Sequence, residues 1–301
     1  MRVCLMFLNE IKKLDCELKL DRPLSDFCTF RIGGRAKYII VVYDNDTLLK
    51  VCHICILHHI KYKIIGLGAN LLFSDKGYNG AIIITKAKKI YRKNTAIYVD
   101  SGTTIGELIQ YCYQNDLSGL EAFSGIPSTL GGAIVNSLGA FDTNISDMID
   151  YVICYKKDDI KKRLILNNTE CKFRYRDSVF KSGDYIITRI KLTLKIDNKK
   201  DIYARQIEYL KRKYDSQPIT LPSAGSIFKR GDIIPAKVID DLGLKGYKIG
   251  GAEISNKHAG FIVNLGNARS KDVKNIIQYI NNKVYKIYKT RLELEIEYVD
   301  D

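Results

Sequence analysis

The apolar and polar positions of the first half of the chain follow two periodicities, one typical of strands and one typical of helices. Residues 38–43 form an uninterrupted apolar and aromatic run, which predicts a buried strand. Apolar side chains recur three and four positions apart over 47–59, which predicts a helix with one buried face. Thr104 and Glu107 have capping-box spacing, which predicts a second helix that ends near residue 115. Further strands are predicted at 62–65, 81–85, 96–99, 151–155 and 185–194.

The second half of the chain is predicted to contain three helices and a final strand. Helical periodicity covers 201–214, 236–242 and 270–288, and Pro218 interrupts the pattern after the first of these. Residues 292–299 alternate apolar and polar side chains, which predicts a strand. The mixture of strands and helices in both halves predicts an α+β fold.

Three carboxylates alternate with apolar residues in the predicted final strand: Glu293, Glu295 and Glu297. Successive side chains of a strand point to opposite faces, so these three would share one face. Most such faces are solvated. If one carboxylate were buried, desolvation would raise its pKa and let it act as an acid or a hydrogen-bond donor.

Length and composition indicate a folded protein of more than one domain. The chain has 301 residues, of which 46% are hydrophobic and 27% charged, an ordinary globular balance that excludes disorder. No apolar run approaches the length of a membrane span, and the apolar start from Val3 to Leu8 is too short for a signal sequence. We therefore expect a soluble, unexported, cytoplasmic protein whose eight cysteines are reduced thiols.

The net charge of +14 suggests anionic partners such as phosphates or nucleotides. The basic residues lie in short scattered groups, for example Lys156 and Lys157, rather than in one continuous track. This distribution is more typical of solvated surfaces than of a nucleic-acid interface. We accordingly expect no nucleic acid, no membrane and no obligate protein partner.

A cluster of cysteines and histidines within the predicted helix at 47–59 has the residue types of a metal site. Leu48, Val51, Cys55 and His59 recur at helical spacing, so a buried helix face accounts for the cysteines without a metal. No second ligand pair follows at the spacing of a zinc finger. The sequence therefore predicts no metal. The residues of the cluster are Cys52, His53, Cys55, His58 and His59.

Two glycine-rich segments are candidates for holding a cofactor. The loop 66–70 (Gly-Leu-Gly-Ala-Asn) directly follows a predicted strand, where backbone N–H groups can close on a phosphate. It is not the dinucleotide fingerprint, because Leu71 stands where the third glycine is needed, and a tight turn remains the alternative. The segment 125–133 places a proline and three glycines in an apolar stretch, which favours a backbone that a cofactor approaches closely.

Two further segments contain side chains suited to catalysis or anion binding. Residues 173–178 place arginines beside aromatic rings, which suits a carboxylate or phosphate, although a surface Arg–Asp pair is the alternative. Residues 222–229 place Ser226 after a small-residue turn, and a neighbouring charge would allow its hydroxyl to donate a proton. Taken alone, this second segment is also consistent with a simple turn.

Taken in order, these segments resemble those of the UDP-N-acetylenolpyruvoylglucosamine reductase family, and the resemblance extends from residue 29 to residue 298. It implies an FAD-binding fold of the vanillyl-alcohol-oxidase type, made of two subdomains, followed by a C-terminal α+β substrate-binding domain. The implied limits are 1–88, 89–200 and 201–288, with the terminal strand, 289–301, as a candidate to return to the second subdomain. The matching segments are 29–34, 66–72, 125–133, 175–178, 222–229, 246–264 and 292–295.

The resemblance also implies a chemistry in which NADPH reduces FAD and a flavin hydride then reduces the enolpyruvyl group of a UDP-sugar, in peptidoglycan precursor synthesis. Arg176 and Glu295 would stabilise the charge that develops on the substrate, and Ser226 would donate a proton to carbon. The residues implied to bind FAD are Gly66, Gly68, Ala69, Asn70, Leu71, Gly125, Ile126, Pro127, Gly131, Gly132 and Ala133. Those predicted to bind the substrate are Tyr175, Lys229, Lys237 and Lys257, the three lysines by position alone.

The chain departs from the family pattern at several positions. Ser128 replaces a glycine, Leu138 lies where a small-residue motif is usual, Arg230 replaces an asparagine, and Leu294 replaces a proline between the C-terminal glutamates. These changes affect single contacts and leave the three residues with implied catalytic roles intact. The chain is similar to the shorter subgroup, which lacks a tyrosine-bearing lid insertion.

Two other functions are consistent with parts of the sequence. A flavoprotein of the same fold that oxidises an alcohol or a sugar with oxygen would share the glycine loops but would not need both Ser226 and Glu295. A non-catalytic basic protein would instead be colourless and would bind nucleic acid with strong salt dependence.

Overall fold

The protein is described here by a computed structural model that covers residues 2–300. Within these residues the helices are α1 Arg2–Ile11, α2 Asn45–Leu57, α3 Ile105–Gln114, α4 Leu130–Val135, α5 Lys199–Ser216, α6 Pro235–Asp241 and α7 Ser270–Tyr288. The strands are β1 Cys16–Pro23, β2 Arg35–Val42, β3 Tyr62–Ile65, β4 Leu71–Phe73, β5 Tyr78–Thr85, β6 Ile90–Lys93, β7 Ala96–Asp100, β8 Leu117–Ser118, β9 Gly139–Ala140, β10 Thr143–Asn144, β11 Ile149–Lys156, β12 Arg163–Asn167, β13 Tyr185–Thr193, β14 Lys195–Ile196, β15 Ser223–Ser226, β16 Lys248–Ile249, β17 Ala252–Ile254, β18 Phe261–Asn264 and β19 Glu297–Val299.

The chain divides into two compact units. Unit 1 comprises residues 1–20, 38–67 and 80–211, and unit 2 comprises residues 21–37, 68–79 and 212–301. Each unit is assembled from segments that are distant in sequence. The three-domain division implied by the family resemblance stays a prediction.

The first layer of unit 1 is a sheet with the strand order β1-β2-β5-β3, in which β3 and β5 are parallel. Helix α2 begins at the N-cap Asp44, whose carboxylate accepts the N–H of Thr47. Val51 of α2 and Phe7 of α1 belong to the same buried cluster as Ile40 and Ile83 of the sheet. This packing confirms a helix with a buried face in this part of the chain, but the helix ends at Leu57. His59, which was predicted on that face, lies beyond the helix with a φ of 52° and is exposed.

The second layer of unit 1 is an antiparallel sheet with the order β12-β11-β13-β7-β6. Helix α3 begins with the capping box predicted from Thr104 and Glu107, and its Leu108 is fully buried. Leu130 and Ile134 of the short helix α4 belong to the same core. The glycine-rich segment that contains α4 is therefore supported by a hydrophobic core.

Unit 2 is built around an antiparallel sheet with the order β15-β18-β17-β16. Helix α7 has the predicted bounds, and Ile276 and Ile280 are among its buried residues. The parallel pair β4 and β19 belongs to the same unit and joins Leu71 to Glu297. This pair brings the predicted phosphate loop and the C-terminal segment together.

The predicted final strand is only partly correct. Of residues 292–299, only β19 is a regular strand, while Leu294 forms an isolated bridge with Phe228. The segment changes partner along its length, so it is not one continuous ladder. Residues 297–299 pair with β4, which lies within residues 1–88.

The cysteines of the predicted metal cluster lie on α2, where Cys52 and Cys55 are fully buried. Burial raises the pKa of the Cys55 thiol to about 12, and it raises the pKa of Cys52 as well. Both are free thiols. Among the side chains that the structure describes, those of residues 5–300, no group of three or more His, Cys, Asp or Glu is arranged to hold a metal ion.

Among residues 2–300, no helix combines the length and the apolar composition that a bilayer span needs.

Candidate functional site

Ser226 and Glu295 lie in unit 2 on segments joined by their main chains. Ser226 ends β15 directly after Gly225, which has a φ of 76°. The N–H of Glu295 donates to the carbonyl of Ile227 at 2.8 Å, and the N–H of Lys229 donates to the carbonyl of Glu293 at 2.8 Å. The segment that follows Ser226 is therefore hydrogen-bonded to the segment that contains Glu295.

Both side chains are half-buried, a setting in which a hydroxyl and a carboxyl group can meet a ligand while water is partly excluded. Ile227, which follows Ser226 and whose carbonyl accepts the N–H of Glu295, is buried, with 1% of its surface exposed. Ile227 also donates its N–H to the carbonyl of Gly260 at 2.9 Å, which ties this segment to the central sheet of unit 2. Ser226 and Glu295 therefore lie on segments whose main chain is fixed by hydrogen bonds.

Arg176 lies in unit 1 on a tight turn closed by hydrogen bonds between the main chains of Arg174 and Asp177, of 3.0 Å and 3.1 Å. Its φ of 55° is in the left-handed region, which is uncommon for an arginine. Its carbonyl accepts the Lys181 ammonium at 2.9 Å, and its guanidinium lies 5.5 Å from the ring centroid of Tyr175. The ring of Tyr175 is largely exposed and supports the arginine from one side.

The two predicted FAD loops touch each other within unit 1. A Cβ atom on Gly66 would lie 2.2 Å from Thr129 Oγ1, a distance that no side chain can adopt. Thr129 also caps α4, because its hydroxyl accepts the N–H of Gly132 at 3.3 Å. Glycine at position 66 is therefore required for the first loop to pack against the start of α4.

The segment 125–133 combines three glycines with a half-buried Ile126 and an exposed Pro127. Gly125 turns the chain with a φ of 75°. A Cβ atom placed on Gly131 would lie 3.0 Å from the Cβ of Ser101. The N–H groups of Leu130 and Gly131 are already bound to the carbonyls of residues 103 and 101, at 2.8 Å each. These two N–H groups are therefore not available to bind a ligand. The glycines of the segment instead allow a flat ligand to approach the backbone closely.

The departure from the family pattern at Ser128 has a simple structural account. Ser128 lies outside the left-handed region, and the conformation that needs a glycine is adopted by Gly125 instead. The Ser128 hydroxyl donates to the carbonyl of Thr129 at 2.9 Å. Serine is thus accommodated without backbone strain.

Two hydroxyl groups beside Gly131 have no hydrogen-bond partner among the described residues: Ser101 Oγ and Thr103 Oγ1. Both residues are at most 2% exposed. A buried hydroxyl without a partner costs free energy that a polar ligand group or an ordered water can recover. Together with the crowded glycines, these hydroxyls fit a site that holds a polar, planar cofactor.

The second half of the first loop belongs to unit 2. Gly68 has a φ of 61°, and a Cβ on it would lie 2.8 Å from the Cβ of Cys28. The loop closes through the N–H of Leu71, which donates to the carbonyl of Gly68 at 3.3 Å. Ala69 and Asn70 are half-buried between these residues. The backbone of this turn is again one that a side chain would obstruct, as a phosphate cradle requires.

The three lysines predicted to bind the substrate lie in two places. Lys237 and Lys257 line one cleft of about 290 Å³, together with Lys245 and His258. The ammonium group of Lys257 also bonds to the carbonyl of Tyr214 and lies over its ring.

Lys229 is engaged elsewhere. Its ammonium group forms an ion pair with the carboxylate of Glu293, whose side chain is largely exposed.

Two residues of unit 2 with a pKa that burial lowers, His258 and Lys213, were not among the predicted site residues. His258 lines the same cleft as Lys257, its Nδ1 accepts the N–H of Gly260 at 3.1 Å, and burial lowers its pKa, which favours the neutral ring. The segment 246–264 was part of the resemblance and could have drawn attention to it.

Lys213 is 4% exposed, and burial lowers its pKa to about 8. No sequence signal distinguishes this lysine from its neighbours on α5.

Two family models match the chain. The model described as "FAD binding domain" covers residues 36–158, and the one described as "UDP-N-acetylenolpyruvoylglucosamine reductase, C-terminal domain" covers residues 217–299. These matches confirm the predicted fold class, an FAD-binding fold followed by a C-terminal α+β domain.

Curated relatives match over nearly the whole chain. A UDP-N-acetylenolpyruvoylglucosamine reductase of Thermotoga sp. (strain RQ2) is 39% identical over 292 residues, which is 96% of this chain and 96% of that protein. The reductase of Caldicellulosiruptor saccharolyticus is 38% identical over 301 residues, covering 98% of this chain and 96% of that protein.

Structural similarity agrees with this relationship. The crystal structure of UDP-N-acetylenolpyruvylglucosamine reductase from Thermus caldophilus superposes with a TM-score of 0.81 at 31% identity, covering 95% of this chain and 99% of that one. The chain therefore belongs to the UDP-N-acetylenolpyruvoylglucosamine reductase family and is an FAD-dependent oxidoreductase.

Proposed function

We propose that this chain reduces UDP-N-acetylglucosamine enolpyruvate to UDP-N-acetylmuramate with NADPH, through FAD, as a step of peptidoglycan precursor synthesis in the cytoplasm. The observation that supports this most strongly is the 39% identity to such a reductase over 96% of the chain. The main-chain pairing of the Ser226 and Glu295 segments agrees with it, because the reaction needs a proton donor and a charge-stabilising group held in fixed geometry.

The residues present fit the cofactor. The loop 66–71 would hold the pyrophosphate of FAD through its backbone N–H groups, and the segment 125–133 would lie along the flavin, because the glycines of both form turns that a side chain would prevent. When bound, FAD would be reduced by NADPH and would then supply a hydride to the enolpyruvyl double bond.

Arg176 and Glu295 would act on the charge that develops on the substrate. When a hydride adds to the terminal enolpyruvyl carbon, negative charge grows on the neighbouring carbon and its carboxylate. A guanidinium and a protonated carboxyl group can both donate hydrogen bonds to that charge, and one such preorganised donor is typically worth about 3 to 4 kcal/mol.

Ser226 would complete the reduction by giving its hydroxyl proton to that carbon. Its position at the end of β15, after a glycine in the left-handed conformation, leaves the hydroxyl side open because Gly225 has no Cβ. A positioned proton donor contributes about 10²-fold to 10⁴-fold to a rate.

The cleft lined by Lys237 and Lys257 is our candidate for the diphosphate of the UDP-sugar. Its three lysines outnumber its two carboxylates, Asp240 and Asp241, and Asp240 is paired with Lys245. The neutral His258 offers a further hydrogen-bonding group. Tyr175 would contact the substrate beside Arg176. We assign Lys229 a weaker role, because its charge is already paired with Glu293.

The proposal is tested by purifying the protein and following NADPH oxidation. We expect a yellow protein that releases FAD on heating and that oxidises NADPH only when the enolpyruvyl UDP-sugar is present. A colourless protein that does not take up added FAD would contradict the proposal. Rapid NADPH oxidation with oxygen alone would support the alternative of an oxygen-dependent oxidase.

A further inference from the structure

Asn70 contacts the main chain of Glu295 across 225 residues of sequence. Its side-chain amide Nδ2 donates to the carbonyl of Glu295 at 2.9 Å. Sequence reasoning placed Asn70 in the phosphate loop alone. The observed contact gives its side chain a second partner, and that partner is a residue with a proposed role in the reaction.

The backbone at Glu295 is held on both sides. Its N–H donates to the carbonyl of Ile227 at 2.8 Å, and its carbonyl accepts from Asn70. Two residues later, the N–H of Glu297 donates to the main-chain carbonyl of Asn70 at 2.9 Å. Three hydrogen bonds therefore hold the main chain at Glu295 and Glu297, and one of them comes from a side chain that mutation can remove.

The remaining contacts allow the fold to survive that removal. The main chain of Asn70 and the parallel pairing of β4 with β19 do not require the Asn70 side chain. Among the described residues, the bond that the change removes is the one to the Glu295 carbonyl.

We propose that Asn70 is a positioning residue that orients Glu295 for the reduction of the enolpyruvyl substrate. This inference rests on the proposed function, in which Glu295 acts on substrate charge. Since the loop 66–71 is also proposed to hold FAD, the same residue would link the cofactor loop to Glu295. Small displacements of a reacting group cost up to about 100-fold in rate.

The test uses stopped-flow measurements of both half-reactions at saturating FAD. In Asn70→Ala, reoxidation by the enolpyruvyl substrate should slow by about 10-fold to 100-fold more than flavin reduction by NADPH does, because the change acts on Glu295. In Asn70→Ala combined with Glu295→Ala, reoxidation should be no more than about threefold slower than in Glu295→Ala alone, because the two changes act through one group.

Asn281→Ala is the matched control. Asn281 Oδ1 accepts the N–H of Leu292 at 2.8 Å, so this variant also removes an asparagine bond to the C-terminal main chain, but not at Glu295. Reoxidation by the substrate should stay near the wild-type rate in this variant, even if its melting temperature falls.

Asn70→Asp keeps the shape of the side chain and supplies a pH readout. An ionised carboxylate repels the Glu295 carbonyl, but a protonated one can donate to it. The rate of this variant relative to the wild type should therefore rise as the pH falls from 8 to about 5.5, towards the pKa range of a carboxyl group.

The outcomes are distinguishable. If both half-reactions slowed equally in Asn70→Ala, or if the losses in the double variant were additive, the positioning role would be wrong while the proposed function stood. If the reduced wild-type flavin did not react with the enolpyruvyl UDP-sugar, the proposed function would fail, and the role of Asn70 with it.

Discussion

The main-chain N–H of Glu295 donates a 2.8 Å hydrogen bond to the carbonyl of Ile227, the residue directly after Ser226. A single main-chain hydrogen bond thus brings together two segments that carry residues with proposed roles in one reaction, although these residues lie far apart in the sequence. A substitution at Ser226 and a substitution at Glu295 should consequently affect the same part of unit 2.

Ser226→Ala should separate the two half-reactions. A proton donor to carbon is needed only when the substrate is reduced, so FAD binding and flavin reduction by NADPH should stay near normal. Reoxidation by the enolpyruvyl substrate should fall by about 10²-fold to 10⁴-fold. Ser226→Cys should recover part of the rate, because a thiol can donate a proton from the same place. A variant slow in flavin reduction but normal in reoxidation would show that Ser226 is not the acid.

Glu295→Gln should be less damaging than Glu295→Ala. If Glu295 acts as a hydrogen-bond donor, the amide retains a donor, whereas alanine loses about 3 to 4 kcal/mol of transition-state stabilisation. The measurement is kcat and KM of both variants with the enolpyruvyl UDP-sugar. Equal loss in the two variants would indicate that a proton or a negative charge on Glu295, not donation by it, is what the reaction requires.

Gly66→Ala should weaken FAD binding by at least about tenfold and destabilise the protein by about 1 to 3 kcal/mol, because its Cβ would lie 2.2 Å from Thr129 Oγ1. Gly106→Ala is the matched control in the same unit. That glycine lies on α3, and nothing is within 4 Å of its added Cβ, so alanine should stabilise the helix by about 0.5 to 1 kcal/mol. Thermal unfolding and flavin fluorescence titration measure both effects, and normal FAD binding by Gly66→Ala would contradict the assignment of this loop.

The buried Lys213 should make stability depend on pH. Burial lowers its folded-state pKa from 10.5 to about 8, so the unfolded chain binds more protons between these two values. The stability contribution of this lysine therefore rises with pH from about 8 to 10.5. The stability of Lys213→Met relative to the wild type should therefore decrease by about 1 to 3 kcal/mol between pH 7 and pH 10.5.

Urea unfolding at several pH values tests this expectation. Lys211→Met, at an exposed position two residues earlier on α5, is the control and should change stability by no more than about 0.5 kcal/mol. A constant difference between Lys213→Met and the wild type from pH 7 to pH 10.5 would show that the burial of this ammonium group does not determine the effect.

The elements that the sequence predicted well are those with a repeated buried face. Helix α7 has the predicted bounds because Val273, Ile276, Ile280 and Val284 recur along one side and are all buried. The strand predicted at 292–299 was too long, since alternation shows which side chains share a face but not where the pairing partner changes.

Only those residues of the candidate site that belong to local sequence motifs could be predicted. The glycine loops, Ser226 and Glu295 were identified from local sequence and family resemblance, and the main chain joins the last two as their proposed roles require. The ion pair of Lys229 with Glu293 and the bond from Asn70 to Glu295 join residues far apart in sequence. Such contacts depend on the assembled fold, so no local pattern could have revealed them.

The central claim is that reduced flavin in this protein passes its electrons to the enolpyruvyl group of a UDP-sugar. The most direct measurement is anaerobic stopped-flow absorbance of the wild-type protein, reduced by one equivalent of NADPH and then mixed with UDP-N-acetylglucosamine enolpyruvate. We predict rapid return of the oxidised flavin spectrum, with UDP-N-acetylmuramate formed in equal amount. A flavin that stays reduced with this substrate but is reoxidised rapidly when oxygen is admitted would contradict the account.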